Sequence, residues 1–348
     1  MHVEFARILE NALSQCCPGA ALSRSAGAGR QAMLLQILEV DDCPDYVERG
    51  VTTSIAFKAA KVLNEARRAE DVPQIGPQEL ATELRGYFST VEPGFQIEIG
   101  GGGHLNARPT PEYSLRLLNA MVAAPVSTFL SPRSFFEGGD ADPQVVVVDW
   151  SACMDRIERK RDSELMELTA GKDAKSLDPE RKLMLLGVLA DPEIDPRPFL
   201  SGLKGNQNLP WLMQRFADDV VRFIERGSFP KESLEKNVIG SIPPLAESLA
   251  EALLHFRRSF FWGAVTGKPE QIVAELLALV RGFYRIFHHP RYRDLSSQSI
   301  ARADAYAYAQ LALLSLRLIE AALASFALKE LLRMGSIEFN GNLDRQAV

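Results

Sequence analysis

Apolar residues recur along the first half of the chain at two different spacings. Between residues 3 and 15, Val3, Phe5, Ile8, Leu9 and Leu13 fall at helical spacing. Residues 32 to 40 are short and apolar, which predicts a strand. Residues 52 to 68 predict a helix. Ile55, Ala56, Ala59, Ala60, Val62 and Leu63 make one face, with Lys58, Lys61, Arg67 and Arg68 largely on the other. A further helix is predicted over 76 to 88, with Pro77 suited to its first turn. The alternation Ile97-Glu98-Ile99 reads as a strand running into four consecutive glycines, Gly100 to Gly103. A helix over 110 to 122 follows, with Thr110 as N-cap and Pro111 at its first position. This half is α+β.

Residues 124 to 144 gather Pro125, Pro132, Gly138, Gly139 and Pro143 among Ser and Asp, the composition of a linker. Beyond it the period is almost everywhere helical. Residues 269 to 289 line up Ile272, Val273, Leu276, Leu277, Val280, Phe283, Tyr284 and Phe287 on one stripe. The helix predicted from about 301 to 334 is apolar on most sides and belongs at the centre of a bundle. Residues 201 to 208 read as a polar loop, and no internal repeat is evident.

Length and composition narrow the class. With 348 residues the chain is long enough for two or three domains with real cores. Hydrophobic residues make up 46% and charged residues 24%, which is ordinary for a soluble globular protein. The net charge of −6 argues against a general polyanion binder but leaves room for a local basic patch. The N-terminus carries Glu4, Arg7 and Glu10 and has neither part of a signal peptide. The most apolar segment, 305 to 328, is interrupted by Arg317 and Glu320, so a buried core helix is expected in place of a membrane span. Cys16, Cys17, Cys43 and Cys153 have no zinc-site spacing and are expected to be reduced thiols of a cytoplasmic protein. No metal and no cofactor is expected.

The glycine run invites a phosphate-loop reading, which its spacing excludes. A dinucleotide fingerprint needs glycine at the sixth position, where the frames from Gly100 and Gly101 place Leu105 and Asn106. No glycine here precedes Lys and a hydroxyl residue, as a P-loop requires. What remains is a strand-to-helix turn with little steric restraint.

The residues around that turn resemble the end of the N-terminal domain of arginyl-tRNA synthetases. In Val-Glu-Pro-Gly-Phe-Gln-Ile-Glu-Ile-Gly-Gly-Gly-Gly-His-Leu-Asn-Ala-Arg-Pro, Gly101, Gly103, Asn106 and Arg108 fall on matching positions. Upstream, residues 49 to 63 resemble another block of that domain, with Gly50, Thr53, Ile55, Ala56, Phe57 and Lys58 in register. Residues 146 to 160, 177 to 194, 276 to 293 and 301 to 328 are similar to successive segments of the family's helical anticodon-binding domain, the DALR domain. Extra length falls around 197 to 260.

The resemblance implies an α+β N-terminal domain over 1–123 with a small antiparallel sheet, a linker over 124–144, and an all-α DALR-like bundle over 145–348. The family's large catalytic domain has no counterpart, since some twenty residues cannot fold into one. The His-Ile-Gly-His and Lys-Met-Ser-Lys signatures are absent, so ATP binding and aminoacylation are not expected. What the resemblance implies is an arginyl-tRNA synthetase-like protein without catalysis. By that resemblance it is expected to bind tRNA or other structured RNA, with presentation of the RNA to a partner enzyme as one use.

Two groups of residues are candidates for that binding. In the first, the Asn106 amide suits base edges, Arg108 suits phosphate, and His104, where the family has an aromatic, suits stacking on a base. Asn106 equally suits holding the turn, and Arg108 equally suits pairing with Glu98. Lys58 and Lys61 add positive charge. The second group is Arg281, Arg285, His288, Arg291, Tyr292 and Arg293, basic residues interleaved with rings as an RNA loop requires, or a solvated helix end. His104 and Ala107 stand where the family has phenylalanines, the chain end departs from the family's, and the net charge is acidic. These departures suit a rival reading, an adaptor that kept the fold, lost RNA and holds a protein partner.

Overall fold

The computed structural model describes residues 2–16, 40–42, 50–69, 71–91, 94–124, 149–159, 167–169, 176–266, 268–290 and 302–326, with 328 and 331. The protein is mostly helical with a small antiparallel sheet. It divides into two compact units, Met1–Gln144 with Glu235–Phe261, and Val145–Leu234 with Trp262–Val348.

The first unit contains α1 (His2–Cys16), β1 (Val40–Asp42), β2 (Val51–Thr53), α2 (Ile55–Ala69), α3 (Pro77–Val91), β3 (Phe95–Gly100), β4 (His104–Pro109) and α4 (Pro111–Ala123). The sheet order is β1-β2-β4-β3, and every neighbouring pair is antiparallel. Val51, Thr53, Leu105 and Ala107 point inward and are buried, as period-two alternation requires. Phe5 of α1 packs between Phe88 of α3, at 5.3 Å, and Phe95 of β3, at 5.5 Å, and Tyr113 of α4 extends the cluster at 4.9 Å from Phe95. Each such buried ring contributes about 1.5–3 kcal/mol relative to exposure.

Two expectations for this unit are corrected. Residues 52 to 54 do not open the helix. The β-branched run Val51-Thr52-Thr53 pairs instead with Leu105 to Ala107, and the helix starts at Ile55, whose N–H donates to Thr53 Oγ1 at 3.1 Å. The glycine run is not a strand-to-helix turn. It reverses the chain into a hairpin, and 104 to 109 form a second strand before the helix at Pro111. The alternation of outward His104, Asn106 and Arg108 with inward Leu105 and Ala107 is a strand pattern that the glycines overshadow. Thr110 is the N-cap, its Oγ1 accepting from the Tyr113 N–H at 3.2 Å, with Pro111 at the start as predicted. Of the predicted strand 32 to 40, only Val40 lies among the described residues, where it opens β1. The linker reading falls outside them except for Ala124.

The segment from Glu235 belongs to the first unit although it lies far along the chain. Its anchor is Asn119 of α4. The Asn119 amide donates to the Ile239 carbonyl at 3.0 Å and accepts the Ile239 N–H at 2.6 Å. Asn64 of α2 brackets Ile75 in the same way, at 2.9 and 2.8 Å. In both cases one side chain satisfies both backbone groups of a loop residue.

The second unit is helical. It contains α5 (Trp150–Arg159), α6 (Pro179–Ala190), the short α7 (Arg197–Leu200), α8 (Leu209–Arg226), α11 (Pro269–Phe287) and α12 (Arg302–Ser325). The short α9 (Lys231–Lys236) and α10 (Glu247–Thr266) lie between α8 and α11 in the chain. Ile272, Val273, Leu276, Leu277, Val280 and Phe283 are buried, as the stripe on α11 predicts. Phe283 meets Phe216 and Phe223 of α8 edge-on at 5.1 and 6.3 Å. The helix α12 is buried on almost every side from Ala305 to Leu323. It is long and apolar enough to cross a membrane, yet 78% of its apolar window is buried inside the protein, as a core helix requires.

Candidate nucleic-acid interface

The outward face of the first unit's sheet is built on β4. Alternation places His104, Asn106 and Arg108 on the side away from the core. Glu98 of β3 pairs with Asn106, Gln96 with Arg108, and Thr52 of β2 flanks Asn106 on the other side. The Thr52 hydroxyl donates to Asn106 Oδ1 at 2.8 Å, which leaves the Asn106 N–H groups directed elsewhere. Arg108 lies 3.6 Å from the Glu98 carboxylate, an ion pair that is mostly solvent-facing on the Glu98 side. Arg108 thus makes the pairing with Glu98 that the sequence left open, and Asn106 is held from β2 by Thr52.

The hairpin turn presents this face at a defined angle. Gly101, Gly102 and Gly103 have φ of +38°, +79° and +145°, and the Gly103 N–H closes the turn on the Gly100 carbonyl at 3.0 Å. A Cβ on Gly103 would lie 2.9 Å from Pro77 Cβ and 3.0 Å from the Pro77 carbonyl carbon. The turn thus sits directly against the start of α3. Beside it, the exposed His104 ring lies 5.1 Å from Phe57 of α2, and Phe57 is 39% exposed. Lys58 and Lys61 are exposed on the same helix. Hence His104, Asn106, Arg108, Lys58 and Lys61 belong to one unit, and His104 meets α2 through Phe57.

The second candidate group lies at the C-terminal end of α11. Arg281 donates to Asp191 at 2.7 Å, and that hydrogen bond, with one from the Glu193 N–H, holds the Asp191 carboxyl below the ordinary carboxylate range. Arg285 is exposed in the last turn, where a cation also complements the helix dipole. His288 caps the helix with its ring stacked on Tyr284 at 5.2 Å and 10°. Arg291, Tyr292 and Arg293 lie outside the described residues.

A buried carboxylate beneath this helix end escaped the sequence reading. Asp219 of α8 is only 3% exposed and accepts from the Tyr284 hydroxyl at 3.1 Å and Arg215 Nε at 3.2 Å, with Arg222 at 3.7 Å. Burial, then the Asp219 charge, pushes the Tyr284 phenol well above its ordinary value of 10.0. The signal was present in the sequence: Asp219 lies three residues after Phe216 and one before Val220, inside the apolar stripe of α8. An acid there must find partners.

Among the described residues no group of His, Cys, Asp and Glu is arranged to hold a metal ion. Cys153 is buried and unbridged. Burial pushes its thiol up, and Arg156, 3.4 Å away, pulls it partly back. Compared with protein-family models, with curated proteins and with solved structures, the chain matches none.

Proposed function

We propose that the protein is a non-catalytic relative of arginyl-tRNA synthetase that binds tRNA, or RNA of similar shape, without reacting on it. The observation that carries this reading is the alternation on β4. An imidazole, an amide and a guanidinium stand on one outward sheet face, with exposed lysines and a half-exposed phenylalanine on the adjoining helix. Amides read base edges, guanidinium and ammonium groups hold phosphate, and rings stack on unpaired bases. The order of an α+β part before a helical part agrees with the family resemblance, and the DALR-like arrangement of the second unit belongs to the same proposal. Presentation of the bound RNA to a separate enzyme is a natural use for such a protein.

A second reading has its own observation. Arg108 pairs with Glu98 and Arg281 with Asp191, while Phe57, Val62 and Val72 are 39%, 42% and 43% exposed. Neutralised arginines and exposed apolar groups suit an adaptor for a protein partner. A titration of the full-length protein with total tRNA at several salt concentrations separates the two. Affinity that falls steeply with salt supports the RNA reading, and no binding at low salt overturns it.

A further inference from the structure

The exposed side of α2 has a feature that the sheet face does not explain. Steps of four, seven and eleven residues return to nearly the same side of an α-helix, so Phe57, Lys61 and Arg68 form one line about 16 Å long. Phe57 opens the line, half-exposed and set against the His104 ring at 5.1 Å. Lys61 and Arg68 follow, both exposed and neither in an ion pair among the described residues. Lys58 adds a third cation to this side, where Glu65 is the acid. An aromatic ring at one end and cations in file behind it match a polyanion that also carries flat faces.

We propose that this side of α2 is a track for an unpaired stretch of RNA, with a base stacked on Phe57 and later phosphates at Lys61 and Arg68. It rests on the RNA-binding reading above and narrows it to single-stranded segments. A paired duplex keeps its bases stacked inside, so a protruding ring gains nothing from it, whereas every unpaired base offers a face. The cations contact phosphate without regard to sequence, so the track tolerates any base order.

The test uses the full-length protein, a labelled unstructured oligouridylate and a perfectly paired RNA hairpin, with unlabelled polyglutamate as competitor. Binding is followed by fluorescence anisotropy over a salt series. Phe57→Ala is expected to weaken oligouridylate binding by about 5- to 100-fold with its salt slope unchanged. The double variant Lys61→Gln/Arg68→Gln is expected to lower the slope of log affinity against log salt by about 1.4, two phosphate contacts' worth. Phe57→Trp keeps a ring at the site and is expected to bind at least as tightly as wild type, so a loss of folding in the alanine variant leaves the question decidable. Preference for the paired hairpin, displacement by polyglutamate as effective as by unlabelled oligouridylate, or weaker binding by Phe57→Trp overturns the track. Variants that bind like wild type while total tRNA still binds overturn the track alone. If neither total tRNA nor oligouridylate binds at low salt, the RNA reading falls with it.

Discussion

Gly103 sits at φ +145°, where a side chain is strained, and any Cβ would press on Pro77 of α3. Gly102 has φ +79° but open space around it. The two positions separate backbone strain from steric clash. Gly102→Ala is expected to cost about 1 kcal/mol, and Gly103→Ala about 2–3 kcal/mol, measured as shifts in urea midpoint at constant m. Equal costs at both positions would contradict the packing of the turn against α3.

Tyr284 gives a second residue-scale expectation. Its folded pKa is raised above the ordinary 10.0. The stability it contributes is therefore fully present below pH 10 and is lost as pH rises beyond that value. Tyr284→Phe removes a hydrogen bond to Asp219 and is expected to cost about 1 kcal/mol at neutral pH. The gap between wild type and variant should shrink in urea melts from pH 9 to pH 11, and a gap that widens would reverse the assignment. At this scale His104, Asn106 and Arg108 were legible as a group only through the family resemblance, and their outward alternation on a strand was masked by the glycine run. The partners of Asp219 were not, because Tyr284 is 65 residues away and only packing brings its hydroxyl within 3.1 Å.

Among elements, one ion pair joins the start of α11 to α5. Arg156 grips Glu270 through two contacts of 2.5 and 3.1 Å, and the Glu270 side chain is only 12% exposed. The carboxylate also lies in the first turn of its helix, where a negative charge is favoured. Because the pair is partly buried, removing one partner leaves the other charge badly solvated. Arg156→Met is expected to cost about 1–3 kcal/mol and Glu270→Gln a similar amount, while the double variant costs less than their sum. A double-mutant cycle by urea denaturation checks this, and strict additivity would show that the pair is not coupled. The helices α3, α4, α11 and α12 were readable from apolar period and from Thr110, Pro77 and Pro111. The strand β2 was not, since three residues are too short to show alternation and their role depends on β4.

At the scale of the whole molecule, the net charge of −6 makes any RNA binding local. Local period and composition by themselves determined that this chain has an α+β half before a helical half. They also marked the central helix α12, because its position follows from which side chains water excludes. Tertiary structure alone settled the hairpin after the glycines, the burial of Asp219 under Tyr284, and the return of Glu235–Phe261 to the first unit. Those features depend on partners distant in sequence, such as Asn119 and Ile239, 120 residues apart, and no local pattern encodes a contact whose other half lies elsewhere in the chain.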